Sequence, residues 1–155
     1  YLIALSDQNL KDIGINLAGE RAQILIHLEE KAGIIPFFLE DEIIYNKNVD
    51  EIKKENSIEN FLNLINLTIY TKNFTDNGYN NSPLLFCQML TRQPITDEIL
   101  KNDLGINYRG DRNKILLSLF SESRKYTKKL KNKNNNKNFT YDETKLNNCK
   151  PSSIF

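Results

Sequence analysis

The sequence predicts an all-α protein built from small helical bundles, and two observations carry that prediction. Apolar residues recur at helical spacing between serine, threonine and asparagine cap positions. A pattern of short helix, glycine break and longer helix also occurs twice. Residues 12–28 read DIGINLAGERAQILIHL and residues 103–119 read DLGINYRGDRNKILLSL. At a constant offset of 91, nine of these 17 positions are identical, among them Gly14/Gly105, Gly19/Gly110 and Arg21/Arg112. Upstream, Leu10-Lys11 matches Leu100-Lys101 once a single residue is inserted in the second copy.

Each element follows from local chemistry. Ser6 and Thr96 suit the N-cap of the short helix, each followed by Asp7 or Asp97 in the positively polarised first turn. Gly14 and Gly105 follow its last apolar residue, where the chain turns through a left-handed conformation. Ile15 or Ile106 then points to the core and Asn16 or Asn107 is placed to cap the longer helix. That helix carries Ile24, Leu25 and Leu28, or Ile115, Leu116, Leu119 and Phe120. Ahead of the second copy, Ser57 caps a helix bearing Ile58, Phe61, Leu62, Ile65 and Tyr70. DNGY at Asp76–Tyr79 is a loop by composition, and Ser82-Pro83 opens a helix with Leu84, Leu85, Met89 and Leu90. Residues 57–126 are thus expected to form a complete five-helix bundle, and residues 1–32 the C-terminal part of a first one.

The segment 33–56 contains Phe37, Phe38, Leu39, Ile43 and Ile44, too apolar for a free linker, and is expected to dock on a bundle as a helix running from Pro36. From residue 127 to 155 the chain is rich in Asn and Lys, with the tract KNKNNNKN, and is expected to lack structure. The net charge of +1 hides a gradient: residues 1–32 carry −2, 33–56 carry −3, 57–126 carry +1 and 127–155 carry +5.

Several function classes are disfavoured. Two cysteines, Cys87 and Cys149, supply neither a disulfide scaffold nor a metal cluster, and Cys87 is expected to pack in an apolar helix. No apolar run approaches the ~20 residues of a membrane span, and no signal-peptide pattern opens the chain, so a cytoplasmic location is expected. With His27 as the one histidine and no nucleophile, phosphate-loop or metalloprotease motif, an enzyme is not expected; nor is a cofactor, a metal or a small-molecule substrate. N-x-S/T sequons at Asn66, Asn73, Asn80 and Asn138 carry little weight in a chain with 22 Asn. A start at Tyr1 suggests a segment of a longer protein.

Residues 57–126 resemble a sterile alpha motif domain from end to end. The matching stretches are ENFLNLINLTIYTKNF, the DNGY loop, SPLLFCQMLTRQPITDEIL and LKNDLGINYRGDRNKILLSL. One departure is Phe61 in the first helix, where the family often has Trp. YLIALSDQNLKDIGINLAGERAQILIHLEE resembles the back half of a second such domain, whose start would lie about 34 residues before Tyr1.

The resemblance implies a protein-interaction module that oligomerises or recruits partners as part of a larger signalling scaffold, its partners being other domains of the family, self or hetero. Such domains commonly join head to tail through an end-helix face and an acidic mid-loop face. Carried over by position, the end-helix face is Asn107, Tyr108, Arg109, Gly110, Arg112, Asn113 and Lys114. The mid-loop face is Asp76, Tyr79, Asp97, Glu98 and Asp103. In the first copy the end-helix positions are Leu17, Ala18, Gly19 and Arg21, which make an apolar patch with a single cation. For Arg21 and Arg112 the alternative is an intramolecular pair with Asp12 or Asp103; for Asp97 and Glu98 it is complementation of the helix dipole. An RNA hairpin, bound by the basic start of the last helix, is the competing partner.

Overall fold

The computed structural model describes residues 5–33 and 56–149, with side chains through residue 132 apart from residue 130. Among these residues the secondary structure is entirely helical. The docking expected of residues 34–45 and the helix from Pro36 lie outside the described residues.

The first helices are α1 (Asp7–Asp12) and α2 (Ala18–Lys31). Ser6 caps α1 as its sequence suggests: its hydroxyl accepts from the Asn9 backbone N–H, and the Asn9 side chain accepts in return from the Ser6 backbone N–H. Gly14 turns the chain at φ +100°, and Gly105 does the same at φ +71°. The helix that follows each glycine is not capped by asparagine. Leu17 occupies the N-cap of α2 without a side-chain bond, and Asn16 and Asn107 give their carbonyls to arginines instead.

Five helices follow. They are α3 (Ile58–Leu64), α4 (Thr71–Asp76, entered through a 3-10 turn at Thr68–Tyr70), α5 (Ser82–Leu90), α6 (a π-helical turn, Ile99–Asp103) and α7 (Arg109–Cys149). Ser57 caps α3 through the Asn60 N–H at 3.0 Å. Asn66 at φ 57° turns the chain after α3, so Tyr70 belongs to the next element and Ile65 is only half-buried. Helix α4 runs through Asp76, the first residue of the DNGY stretch expected to be a loop. The cap of α5 is Asn81, not Ser82: the Asn81 side chain accepts from the Leu84 N–H at 2.9 Å, which places Pro83 in the first turn, where its missing N–H costs nothing.

The core gathers Ile58, Phe61, Leu62, Phe74, Leu84, Leu85, Leu100, Leu104, Ile106, Ile115 and Leu119, all nearly or fully buried. Phe61 meets Phe86 edge to face at 5.7 Å, and Phe74 meets Tyr79 at 6.0 Å. Phe120, expected in this core, is half exposed on the outer side of α7.

The chain divides into two compact units, Tyr1–Ser123 and Arg124–Phe155. Within the second, the backbone is helical through Cys149, which corrects the expectation of a tail without structure from residue 127. The composition there denies the tract a core, but a single helix closes its own backbone hydrogen bonds without one.

Candidate protein interface

The two repeated segments use their equivalent arginines, Arg21 and Arg112, alike. Arg112 donates from Nε to Asp97 at 2.7 Å and from Nη1 to the carbonyls of Ile106 and Asn107 at 3.0 and 2.8 Å. Arg21 donates from Nε to Asp7 at 2.8 Å and from Nη1 to the carbonyls of Ile15 and Asn16 at 2.9 and 2.8 Å. Each guanidinium therefore ties the short helix, the glycine turn and the start of the long helix into one rigid corner, filling donor directions that a fork can satisfy together. Both side chains are buried. This corrects their placement on a partner face and the choice of acidic partner: Arg112 pairs with Asp97 rather than Asp103, and Arg21 with Asp7 rather than Asp12.

Arg21 has one further bond. Its Nη2 donates to Asp103 Oδ2 at 3.0 Å, and Lys11 Nζ reaches Asp103 Oδ1 at 2.7 Å. Asp103 is nearly buried, and it belongs to the second copy of the repeat. The start of α2 is seated on the α4–α5 loop: Gly19 N–H donates to the Asn77 carbonyl at 2.7 Å. A Cβ built on Gly19 would lie 2.2 Å from the Gly78 carbonyl carbon, so only glycine permits this approach. Further along, α2 packs on α5, and Glu29 accepts from the Arg92 N–H at 3.1 Å. At the same edge Gln93 accepts from the Asp7 N–H at 2.7 Å and donates to the Leu5 carbonyl at 2.9 Å.

The five residues expected to form the acidic mid-loop face do not share one open surface. Tyr79 is fully buried, its hydroxyl donating to Gln88 Oε1 at 2.7 Å, and burial raises its pKa. Asp103 is taken by Arg21 and Lys11, and Asp97 by Arg112, while Asp76 and Glu98 are exposed. The end-helix face of the second copy is open. Tyr108 is 73% exposed, and Asn107, Arg109, Gly110, Asn113 and Lys114 are exposed around it. A Cβ on Gly110 meets no described atom within 4 Å, in contrast to Gly19. In the first copy Ala18 and Gly19 are buried and Leu17 is half-buried.

Sequence reasoning missed Asn77, Gly78, Glu29, Arg92 and Gln93, which join the segments through backbone groups and long-range pairs. One signal was available: Ala18, Gly19 and Ala22 form a small-residue strip at the start of α2, where another backbone can come close. Also unforeseen was Asp111, which accepts from the Tyr70 hydroxyl and so fastens α7 to the turn before α4.

Cys87 is buried and His27 is exposed on α2. Among the described residues no group of acidic, histidine or cysteine side chains could hold a metal ion, and no helix is long and apolar enough to cross a membrane.

The family model of the SAM domain (Sterile alpha motif) matches residues 51–119, which span α3 to α6 and the first part of α7. Comparison with curated proteins and with solved structures gives no match. SAM domains generally serve protein–protein interaction. The five helices and the family match coincide: residues 51–119 of this chain are similar to a SAM domain.

Proposed function

We propose that this chain is a protein-interaction segment in which the SAM domain binds another SAM-like domain, of its own kind or of a partner protein, through the exposed start of α7. The observation that carries the reading is the seated start of α2. A helix start with the same Gly–acid–Arg sequence as Gly110-Asp111-Arg112 already docks on this domain, with backbone contact at Gly78 and an ion pair to Asp103. The α7 start offers Tyr108 as aromatic contact area, Gly110 for close approach, and Arg109 and Lys114 as steering charge.

The same observation supports a second part of the proposal, that residues 1–32 are the C-terminal part of a SAM-like domain. Arg21 and Arg112 make matching sets of bonds within matching corners. An oligomerising scaffold role within a larger signalling protein follows from this reading.

The test is light scattering over a range of concentrations. Association that grows with concentration and weakens in Arg109→Glu/Lys114→Glu is the expected result. A chain that stays monomeric and captures no SAM-like partner would overturn the proposal. RNA-hairpin binding is the weaker alternative, because Arg112 spends its guanidinium on Asp97 and two carbonyls. A titration against hairpin RNA at low salt decides it.

A further inference from the structure

In register, α2 and α7 bury opposite sides. Ile24 and Leu28 of α2 are half-buried, whereas their equivalents Ile115 and Leu119 of α7 are fully buried. Conversely, Ala22 and Ile26 are 0% exposed, whereas their equivalents Asn113 and Leu117 are exposed, Leu117 at 71%. The side on which α2 is buried, Gly19, Ala22 and Ile26, thus has an open counterpart on α7, Gly110, Asn113 and Leu117, with Phe120 a turn further on and 51% exposed. Two large apolar side chains stand in solvent on a face whose duplicate is covered.

The polar groups repeat the pattern. Arg112 holds its corner with the same Nε and Nη1 bonds as Arg21, and its Nη2, the atom with which Arg21 reaches Asp103, has no hydrogen bond to another described residue. Lys101 is the counterpart of Lys11, the other cation on Asp103, and is exposed.

We infer that the surface formed by Asn77–Tyr79, α5 and Asp103 is a seat with two competing occupants: α1–α2 of the same chain, and the Gly110–Leu117 face of a second copy. The inference rests on the proposed interaction function and adds a device to it. While α1–α2 is docked the seat is closed, and the chain has only its α7 face to offer. The cis occupant has two advantages. It is tethered, and a tether supplies an effective concentration on the order of millimolar. It also fits more closely, because Ala18 and Ala22 are buried where the second copy brings Arg109 and Asn113. Charge complementarity favours the trans occupant, since Arg109, Lys114 and Lys101 would approach Asp76 and Asp103.

The experiment is sedimentation and light scattering of the full chain in two loosened forms. Gly19→Val places side-chain carbons against the Gly78 backbone; Lys11→Ala/Glu29→Ala removes contacts to Asp103 and Arg92 without a clash and serves should the first variant misfold. Each is expected to tighten self-association by about tenfold or more over wild type, as release of a closed state requires. Adding Leu117→Glu to either should return the mass to that of a monomer. If wild type associates through Arg109 and Lys114 but neither loosened form gains, the two-occupant seat is wrong and the interaction function stands. A gain that Leu117→Glu leaves intact also overturns the seat, being adhesion of the uncovered α2 face. No self-association in any form overturns the seat, and overturns the interaction function as well when no SAM-like partner is captured.

Discussion

Arg21 Nη2 lies 3.0 Å from Asp103 Oδ2, a fully buried cation of the first repeated segment on a nearly buried anion of the second. Arg112, its duplicate, makes the same bonds within its own corner but pairs with Asp97, whose side chain is half exposed. Removing either arginine strands the two carbonyls of its corner; removing Arg21 also leaves the nearly buried Asp103 with Lys11 as its partner, whereas removing Arg112 releases an anion that water can solvate. Arg21→Ala is expected to cost about 3–5 kcal/mol, within the range for breaking a buried pair. Arg112→Ala should cost nearer 2 kcal/mol. Chemical denaturation of the two variants checks the order, and a double-mutant cycle of Arg21→Ala with Asp103→Asn should show coupling between the segments.

The contrast also marks what the sequence could disclose. Caps and spacing gave the number and order of helices, because Ser6, Ser57 and the glycines act on neighbours within four residues. The corner role of the arginines was visible as one of two alternatives, since their partners lie within 15 residues. The side of α2 that packs was not legible. Ile24, Leu25, Ile26 and Leu28 place apolar residues around much of that helix, so its own pattern does not select the buried Ile26 over the half-buried Ile24. Asn81 and Ser82 can both cap, so the choice between them needed the backbone geometry. The pair joining Arg21 to Asp103 spans 82 residues and carries no local signal.

Two glycines at equivalent positions should respond oppositely to alanine. At Gly19 a methyl group would sit 2.2 Å from the Gly78 carbonyl carbon, and the obstacle is backbone on both sides. Gly19→Ala is expected to destabilise by at least about 2 kcal/mol, typical of overpacking, and to speed amide exchange in α1 and α2. At Gly110 the same methyl meets no described atom within 4 Å, and alanine is the better helix former. Gly110→Ala should leave stability unchanged or raise it by up to about 1 kcal/mol. Paired thermal melts with hydrogen exchange report both.

Tyr70 makes stability fall at alkaline pH. Its hydroxyl donates to Asp111, and this bond, aided by burial and by the carboxylate's charge, pushes its pKa from 10.0 to about 12. Between pH 10 and 12 the unfolded chain loses the phenolic proton while the folded chain keeps it. The stabilisation is therefore complete below pH 10 and is lost progressively towards pH 12. Burial raises Tyr79 in the same sense, so the wild type should weaken over this range even apart from Tyr70. Tyr70→Phe is expected to be less stable by about 1–2 kcal/mol at pH 8, the worth of a hydrogen bond to a charged acceptor. The gap should narrow as pH rises above 10. Urea midpoints for both proteins at pH 8 and pH 11 measure it.

Ile26 and Leu117 occupy the same place in the repeat and opposite places in the structure, one fully buried and the other 71% exposed. Ile26→Ala removes a side chain held between α2 and the body of the molecule and should cost about 2–4 kcal/mol, the range for large-to-small changes in a core. Leu117→Ala withdraws little surface from the interior, and its effect on stability should stay within about 0.5 kcal/mol. Association should respond in the other direction: Leu117→Ala lowers it without changing the melting temperature, if the open side of α7 is the face that meets another domain. Unfolding curves and light scattering on the same two samples separate these roles. Equal losses of stability in both variants would mean that Leu117 is packed in solution, and the opposed burial of the two helices would then be wrong.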